Sequence, residues 1–326
     1  MAKNYIKKAF VSGIGVMGRR HVVGLINSGY YVEIFDLNLS NFSLVKEELK
    51  KLNLNNEKVL KVKKPSGKYH LAFFSETADV RLDNFENFLK TAEAERYLLE
   101  KPLTSNPKKL NRYIEIANKN NILEKIFVNL GQRNWKHINT ISEYCLNESE
   151  IVMTINCGAM GLGCIGVHYI DNFLFISNDY TAKVSWAKIL NKKIESPRGK
   201  SFIDYGANFV LEGSKSTLFM SMSSESSSHL LMTLRGKNFK AYLDYTQMKF
   251  LLLKRDNKSK LPLTRYGAEY KLILDEKLIL DPLEKMTEKW VKKQIKLPSL
   301  LSAMHSHKLV FDILKFGGEP EPYRFT

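Results

Sequence analysis

Apolar positions along this chain follow two rhythms. In the first 130 residues, short apolar runs alternate with longer amphipathic stretches. Ala9, Phe10 and Val11 form the first run, a helical pattern through Val22, Val23, Leu25 and Ile26 leads to Gly29, and residues 31–35 form the second run. Residues 39–52 predict an amphipathic helix capped by Asn38 or Ser40, and 59–62 a short strand. A buried strand at 70–74 stops at Ser75-Glu76-Thr77 and is followed by a helix over 81–92. A strand at 97–99 ends on Glu100-Lys101-Pro102. Ser105 or Asn106 then caps a helix at 107–118, and 126–128 is one more strand. Strands alternating with helices of this length predict a mainly parallel sheet covered on both faces.

From about Arg133 the rhythm changes. A helix over 135–145 and a strand over 151–156 lead to a turn bearing Gly158, Gly161 and Gly163, then a helix over 165–175. Strand-like runs follow at 182–190, 202–211, 217–222, 230–234, 240–243 and 250–253 with no helices between them, which predicts an open antiparallel sheet of about six strands. Residues 269–293, broken near Asp281-Pro282, and 300–314 read as closing helices. At 326 residues the chain fits two domains, 1–130 and 131–326, with the helix at 300–314 expected to pack back towards the first.

Composition narrows the classes. With 44% hydrophobic and 26% charged residues the chain reads as globular. Its longest apolar run, 165–176, is interrupted by His168, Asp171 and Asn172, so no membrane span is expected. The first residues lack the features of a signal peptide, and the expected location is the cytoplasm. Cys145, Cys157 and Cys164 are odd in number and unevenly spaced, which suits reduced thiols and neither a disulfide framework nor a zinc site; no metal is expected. A net charge of +16 would attract anions, but Lys is scattered along the chain in short pairs without an arginine-rich arm, so a nucleic-acid partner is not expected.

The chemistry begins in the first βαβ unit. Gly13, Gly15 and Gly18 stand between strand and helix in G-x-G-x-x-G order, and Asp36 ends the next strand about 20 positions on. In such a fingerprint the first glycine makes the turn, the second admits a pyrophosphate, the third lets helix and strand pack closely, and the helix N-terminus meets the phosphate charge. Cofactor contacts are therefore expected at Gly13, Ile14, Gly15, Val16 and Met17, with Asp36 accepting hydrogen bonds from ribose hydroxyls. Leu37 and Asn38 follow Asp36 where an Arg would receive a 2′-phosphate, which favours NAD(H) over NADP(H). Lys101, at the end of a strand of this sheet, is placed to orient a hydroxyl and stabilise developing negative charge; taken alone, Glu-Lys-Pro is also an ordinary surface tripeptide.

Five motifs in order carry a resemblance: Gly13-x-Gly15-x-Met17-Gly18-x-Arg20-His21, Asp36, Glu100-Lys101-Pro102-Leu103, Asn129-x-Gly131-x-Arg133, and Gly161-x-Gly163-x-x-Gly166-x-His168-x-x-Asp171. Together they resemble the glucose–fructose oxidoreductase / inositol dehydrogenase family, often called Gfo/Idh/MocA. The resemblance covers most of the chain, most weakly 177–294. It implies an α/β architecture, an N-terminal Rossmann doubly wound parallel sheet plus a C-terminal α/β domain with an open, mostly antiparallel sheet. One side of that sheet would serve substrate and the other a second subunit, giving a homodimer or homotetramer. It further implies hydride exchange between a nicotinamide and a carbinol carbon of a sugar, cyclitol or nucleotide-linked sugar, within sugar metabolism or polysaccharide synthesis.

On this resemblance Lys101 and His168 are the catalytic pair, with His168 accepting the substrate hydroxyl proton. Ser75, Thr77, Glu100 and Lys101 join the cofactor contacts, and Lys101, Arg133, Cys164, His168 and Asp171 the substrate contacts. His168 also reads as a core histidine on an apolar helix face, and Arg133 as a structural ion pair. Two departures stand out. Cys164 replaces the family's acid four residues before the histidine, on what would be one helical face with His168, and the segment after Phe74 lacks the Pro and His often found there. A thiol is a poor substitute for a carboxylate. The alternative reading is thus a catalytically weak NAD- or sugar-binding sensor or regulator of the same fold.

Overall fold

The computed structural model describes residues 7–196, 198–256, 260 and 270–326. Residues 1–6, read above for leader features, and Glu269, where a helix was expected to start, lie outside the described residues. The chain divides into two units. The first runs up to Gly131 and takes in Asp281–Met304 and Thr326; the second comprises Gln132–Leu280 and His305–Phe325.

In the first unit, β1 (Lys8–Ser12), β2 (Tyr31–Phe35), β3 (Val59–Lys61), β4 (Gly67–Phe74), β5 (Ala92–Leu99) and β6 (Ile126–Val128) form one sheet in the order β3-β2-β1-β4-β5-β6. Every pairing is parallel. The order reverses between β1 and β4, the switch point at whose carboxyl edge open α/β sheets bind ligands. β1 needs its unbroken apolar run because both of its faces are covered, and Ala9, Phe10 and Val11 are all buried.

On one face α3 (Arg81–Leu89) drives Phe85 and Phe88 against Phe74 and Tyr97 in edge-on ring contacts 5.1–6.2 Å between centroids. α4 (Pro107–Lys119) follows, started by Pro107 and capped by Asn106, whose side chain accepts from the Lys108 N–H at 2.9 Å. On the other face α1 (Val16–Asn27) buries Val22, Leu25 and Ile26, and α2 (Ser40–Lys51) buries Val45 and Leu49. α7 (Leu283–Val291) returns from the far end of the sequence to pack on α1. The approach is close: a Cβ on Gly24 would lie 2.6 Å from the Glu284 carbonyl oxygen. Arg20 clamps Glu284 through Nε and a second guanidinium nitrogen, at 2.8 and 3.0 Å, and Trp290 lies edge-on to Phe73.

The second unit holds α5 (Lys136–Cys145), β7 (Ile151–Cys157), a π-helical turn at Leu162–Gly166, and α6 (Val167–Ser177). Then come β8 (Lys183–Glu195), β9 (Ile203–Glu212), β10 (Ser216–Met222), β11 (Leu231–Arg235), β12 (Phe239–Asp244), β13 (Lys249–Arg255) and β14 (Tyr270–Lys277). These eight strands form one sheet, ordered β14-β13-β12-β11-β7-β10-β9-β8, in which only β7 and β10 pair in parallel. α8 (Leu300–Phe316) closes the series.

Three expectations are corrected here. Among the described residues the sheet has eight strands instead of about six. Residues 270–277, expected as helix, are β14, an edge strand in which Lys271, Leu272, Ile273, Asp275 and Lys277 are exposed; the helical part of that stretch is α7, after Pro282. The helix expected over 165–175 begins at Val167, because a π-helical turn precedes it. Among the described residues no helix is long and apolar enough to cross a membrane.

Candidate active site

In the first unit, the candidate residues begin at the turn between β1 and α1. Gly13 has φ of +75°, a conformation that glycine adopts without penalty, and a Cβ there would lie 2.5 Å from the Glu76 backbone nitrogen. A Cβ on Gly18 would lie 2.0 Å from the Gly13 carbonyl oxygen, so turn and helix close only on glycine. Gly15 is different: nothing stands within 4 Å of an added Cβ, which marks open space over the helix start. α1 has no side-chain cap and no acidic residue in its first turn. The first N–H groups of an α-helix have no partner within the helix itself.

Asp36 closes β2 and turns back to this loop. One carboxylate oxygen accepts from the Ile14 N–H at 2.7 Å and from the Asn41 amide at 3.1 Å, and the other accepts from the Asn38 N–H at 2.7 Å. It therefore fixes the loop.

At the end of β4, the Ser75 N–H donates to the Ser12 carbonyl at 2.8 Å, and its hydroxyl oxygen is buried without a hydrogen-bond partner. The Thr77 carbonyl accepts from the Arg81 N–H at 3.2 Å at the start of α3. Between them, one Glu76 oxygen accepts from the Ser12 hydroxyl and the Asn84 amide, while the other is buried with no partner. Burial pushes the Glu76 carboxyl above its usual range, against the lowering effect of Ser12 and Arg81.

At the end of β5, Glu100 is buried and turned inward. Its carboxylate accepts from His21 Nε2 at 2.8 Å, the Asn129 amide at 2.6 Å and the Lys101 N–H at 3.2 Å, and His21 Nδ1 meets the Thr287 hydroxyl at 2.8 Å. Burial alone would raise its pKa; the His21 hydrogen bond and charge, with Lys101, bring it down to about 2. Glu100 thus holds the backbone from which Lys101 projects. Arg81, which the sequence reading did not single out, lies beneath the same loop. Its guanidinium is wholly buried and donates to the carbonyls of Glu76, Glu100 (2.6 Å) and Pro102.

In the second unit, taken by itself, the candidate residues lie in the segment from Gly161 to Asn172. Gly161 has φ of +77°, and the π-helical turn after it is capped from far away in sequence by Asp204 of β9. Asp204 accepts from the N–H groups of Gly163 (2.8 Å), Cys164 (2.7 Å) and Tyr205 (2.8 Å). Cys164 and His168, both half-buried, therefore stand in a π-helical turn and an α-helix in succession, not on the single α-helical face expected. Asp171 is fully buried and forms a two-pronged ion pair with Arg133, which also lies over the Phe175 ring at 5.3 Å. Of the roles open to these two residues, the structure displays the structural ion pair. No group of three His, Cys, Asp or Glu side chains among the described residues is arranged to hold a metal.

No family model matches the sequence, and no curated protein matches it. Solved structures do share the fold. A dehydrogenase (MviM) from Clostridium difficile aligns with 96% of this chain and 99% of its own at a TM-score of 0.66 and 14% identity. UDP-N-acetylglucosamine 3-dehydrogenase GnnA from Acidithiobacillus ferrooxidans aligns with 95% of this chain and 96% of its own at 0.66 and 11%. The transcriptional regulator Gal80p from Kluyveromyces lactis aligns with 98% of this chain and 94% of its own at 0.69 and 13%. The parallel six-stranded sheet with its helices, followed by a second, mostly antiparallel sheet, is thus a two-part architecture found in oxidoreductases and in a regulator alike.

Proposed function

We propose that this protein is an NAD(H)-dependent oxidoreductase that exchanges a hydride with a carbinol or carbonyl carbon of a sugar, cyclitol or nucleotide-linked sugar. The observation that carries the reading is the open helix start at Gly15, with Gly13 and Gly18 locked around it and Asp36 tied to the Ile14 N–H. These residues suit a dinucleotide: the uncapped helix start and the open space at Gly15 would admit a pyrophosphate, and the Asp36 carboxylate would accept from ribose hydroxyls. The bound nicotinamide supplies the hydride acceptor or donor. In oxidation His168 takes the hydroxyl proton, a task that suits neutral imidazole near pH 7, and Lys101 orients the oxygen and stabilises its developing charge. Asp36 favours NAD(H) because a 2′-phosphate beside it meets like charge. The fold neighbours include a dehydrogenase of a nucleotide sugar, which supports that substrate class.

A second reading is a ligand sensor of the same fold. Cys164 in place of an acid favours it, and the fold is shared with a regulator. Appearance of NADH with a panel of sugars, cyclitols and nucleotide sugars separates the two. On the substrate so found, His168→Ala and Lys101→Ala are each expected to lower turnover by about 100-fold or more while NADH still binds. Wild-type turnover in both variants would refute the assignment.

A further inference from the structure

The carbonyls on either side of Lys101, those of Glu100 and Pro102, both accept from the same guanidinium nitrogen of Arg81. The second terminal nitrogen donates to the Glu76 carbonyl. Arg81 opens α3, and its own N–H is bonded to Thr77, so the side chain runs back under the loop that ends β4 and across to the loop that ends β5. A wholly buried guanidinium is costly to desolvate, and here it is set among backbone carbonyls. If the position served packing alone, an apolar side chain would avoid that cost. The planar fork can grip carbonyls from two loops at once, which an ammonium, a point donor on a flexible stem, does less well.

We propose that Arg81 is the positioning residue for Lys101: by gripping the carbonyls of the residues before and after it, Arg81 fixes the direction in which the Lys101 side chain leaves the sheet edge. The proposal rests on the reading of Lys101 as the group beside bound nicotinamide. It accounts for the presence of an arginine under a loop whose only long polar side chains are Glu100, turned inward, and Lys101. Tyr113 supplies a structural contrast. Its hydroxyl donates to the Leu103 carbonyl at 2.9 Å, which pins the same loop without touching the two carbonyls that flank Lys101.

The test is the rate at which acetic anhydride modifies Lys101, read by peptide mass with and without saturating NADH, in wild type, Arg81→Lys, Arg81→Gln and Tyr113→Phe. In wild type, NADH is expected to slow modification of Lys101 by about tenfold or more, since the ammonium is oriented at the cofactor edge. In Arg81→Lys and Arg81→Gln that protection is expected to fall to about twofold or less, while NADH affinity stays within about threefold of wild type. Tyr113→Phe is expected to keep full protection even where its melting temperature falls. Should Arg81→Gln fail to fold, Arg81→Lys, which keeps the charge and loses the fork, carries the comparison. Full protection in the folded Arg81 variants, or equal loss in Tyr113→Phe, overturns the proposal. NADH binding to wild type without protection of Lys101 instead removes the reading on which the proposal rests, and the proposal falls with it.

Discussion

Glu76 shows how single residues at this site depart from their sequence appearance. In the sequence, Ser75-Glu76-Thr77 marks only the end of a buried strand. In the structure Glu76 lies against Gly13, one oxygen held by Ser12 and Asn84 and the other buried without a partner. Its carboxyl holds a proton more tightly folded than unfolded, so its contribution to stability is present below the ordinary value of 4.5 and is lost as pH rises above it. Glu76→Gln has no proton to lose. The melting-temperature difference between Glu76→Gln and wild type should therefore move steadily in favour of the variant as pH rises from about 4.5 to about 8. A difference that stays constant over that range would show that Glu76 is not held neutral by burial. Arg81 was equally hidden: an arginine opening an amphipathic helix reads as exposed, and only the fold shows three carbonyls converging on it.

Elements were legible in the sequence where burial imposed a period. β1, β4 and β5 are apolar runs because helices cover both faces, and the glycines between β1 and α1 announce a turn that no larger residue can make. β14 was illegible for the opposite reason. At the edge of its sheet and largely exposed, it carries no apolar alternation, and its Lys, Asp and Glu imitate a charged helix. The π-helical turn was hidden too, because its cap is Asp204, some 40 residues away, and nothing local marks it. Asp204→Ala should destabilise the second unit by about 3 kcal/mol, since three N–H groups lose a buried carboxylate acceptor. Urea unfolding measures this, and a change below about 0.5 kcal/mol would mean that the turn holds without its cap.

At the scale of the whole molecule, the eight-stranded sheet carries an outward row set by strand register: Trp186, Val210, Phe219, Thr154, Thr233, Tyr242 and Leu251 lie side by side across seven strands. Trp186, Phe219 and Tyr242 are 48%, 46% and 39% exposed. Large aromatics in one row on an open face are characteristic of an association surface, and a second copy of the chain is the proposed occupant. Light scattering at micromolar concentration should give a multiple of 37.6 kDa, and Phe219→Lys should reduce it to one chain. A wild-type monomer would contradict the proposal.

The account turns on whether a dinucleotide binds over Gly15, and one titration decides it. Gly15→Ala adds a methyl group that meets no atom within 4 Å in the protein itself, so fold and melting temperature should be unchanged. The same methyl would stand where the pyrophosphate must approach the backbone. Fluorescence titration should show wild type binding NADH more tightly than NADPH, and Gly15→Ala binding NADH at least about tenfold more weakly, a loss of about 1.4 kcal/mol or more. Unaltered NADH affinity in folded Gly15→Ala, or no NADH binding by wild type at about 1 mM, would contradict it.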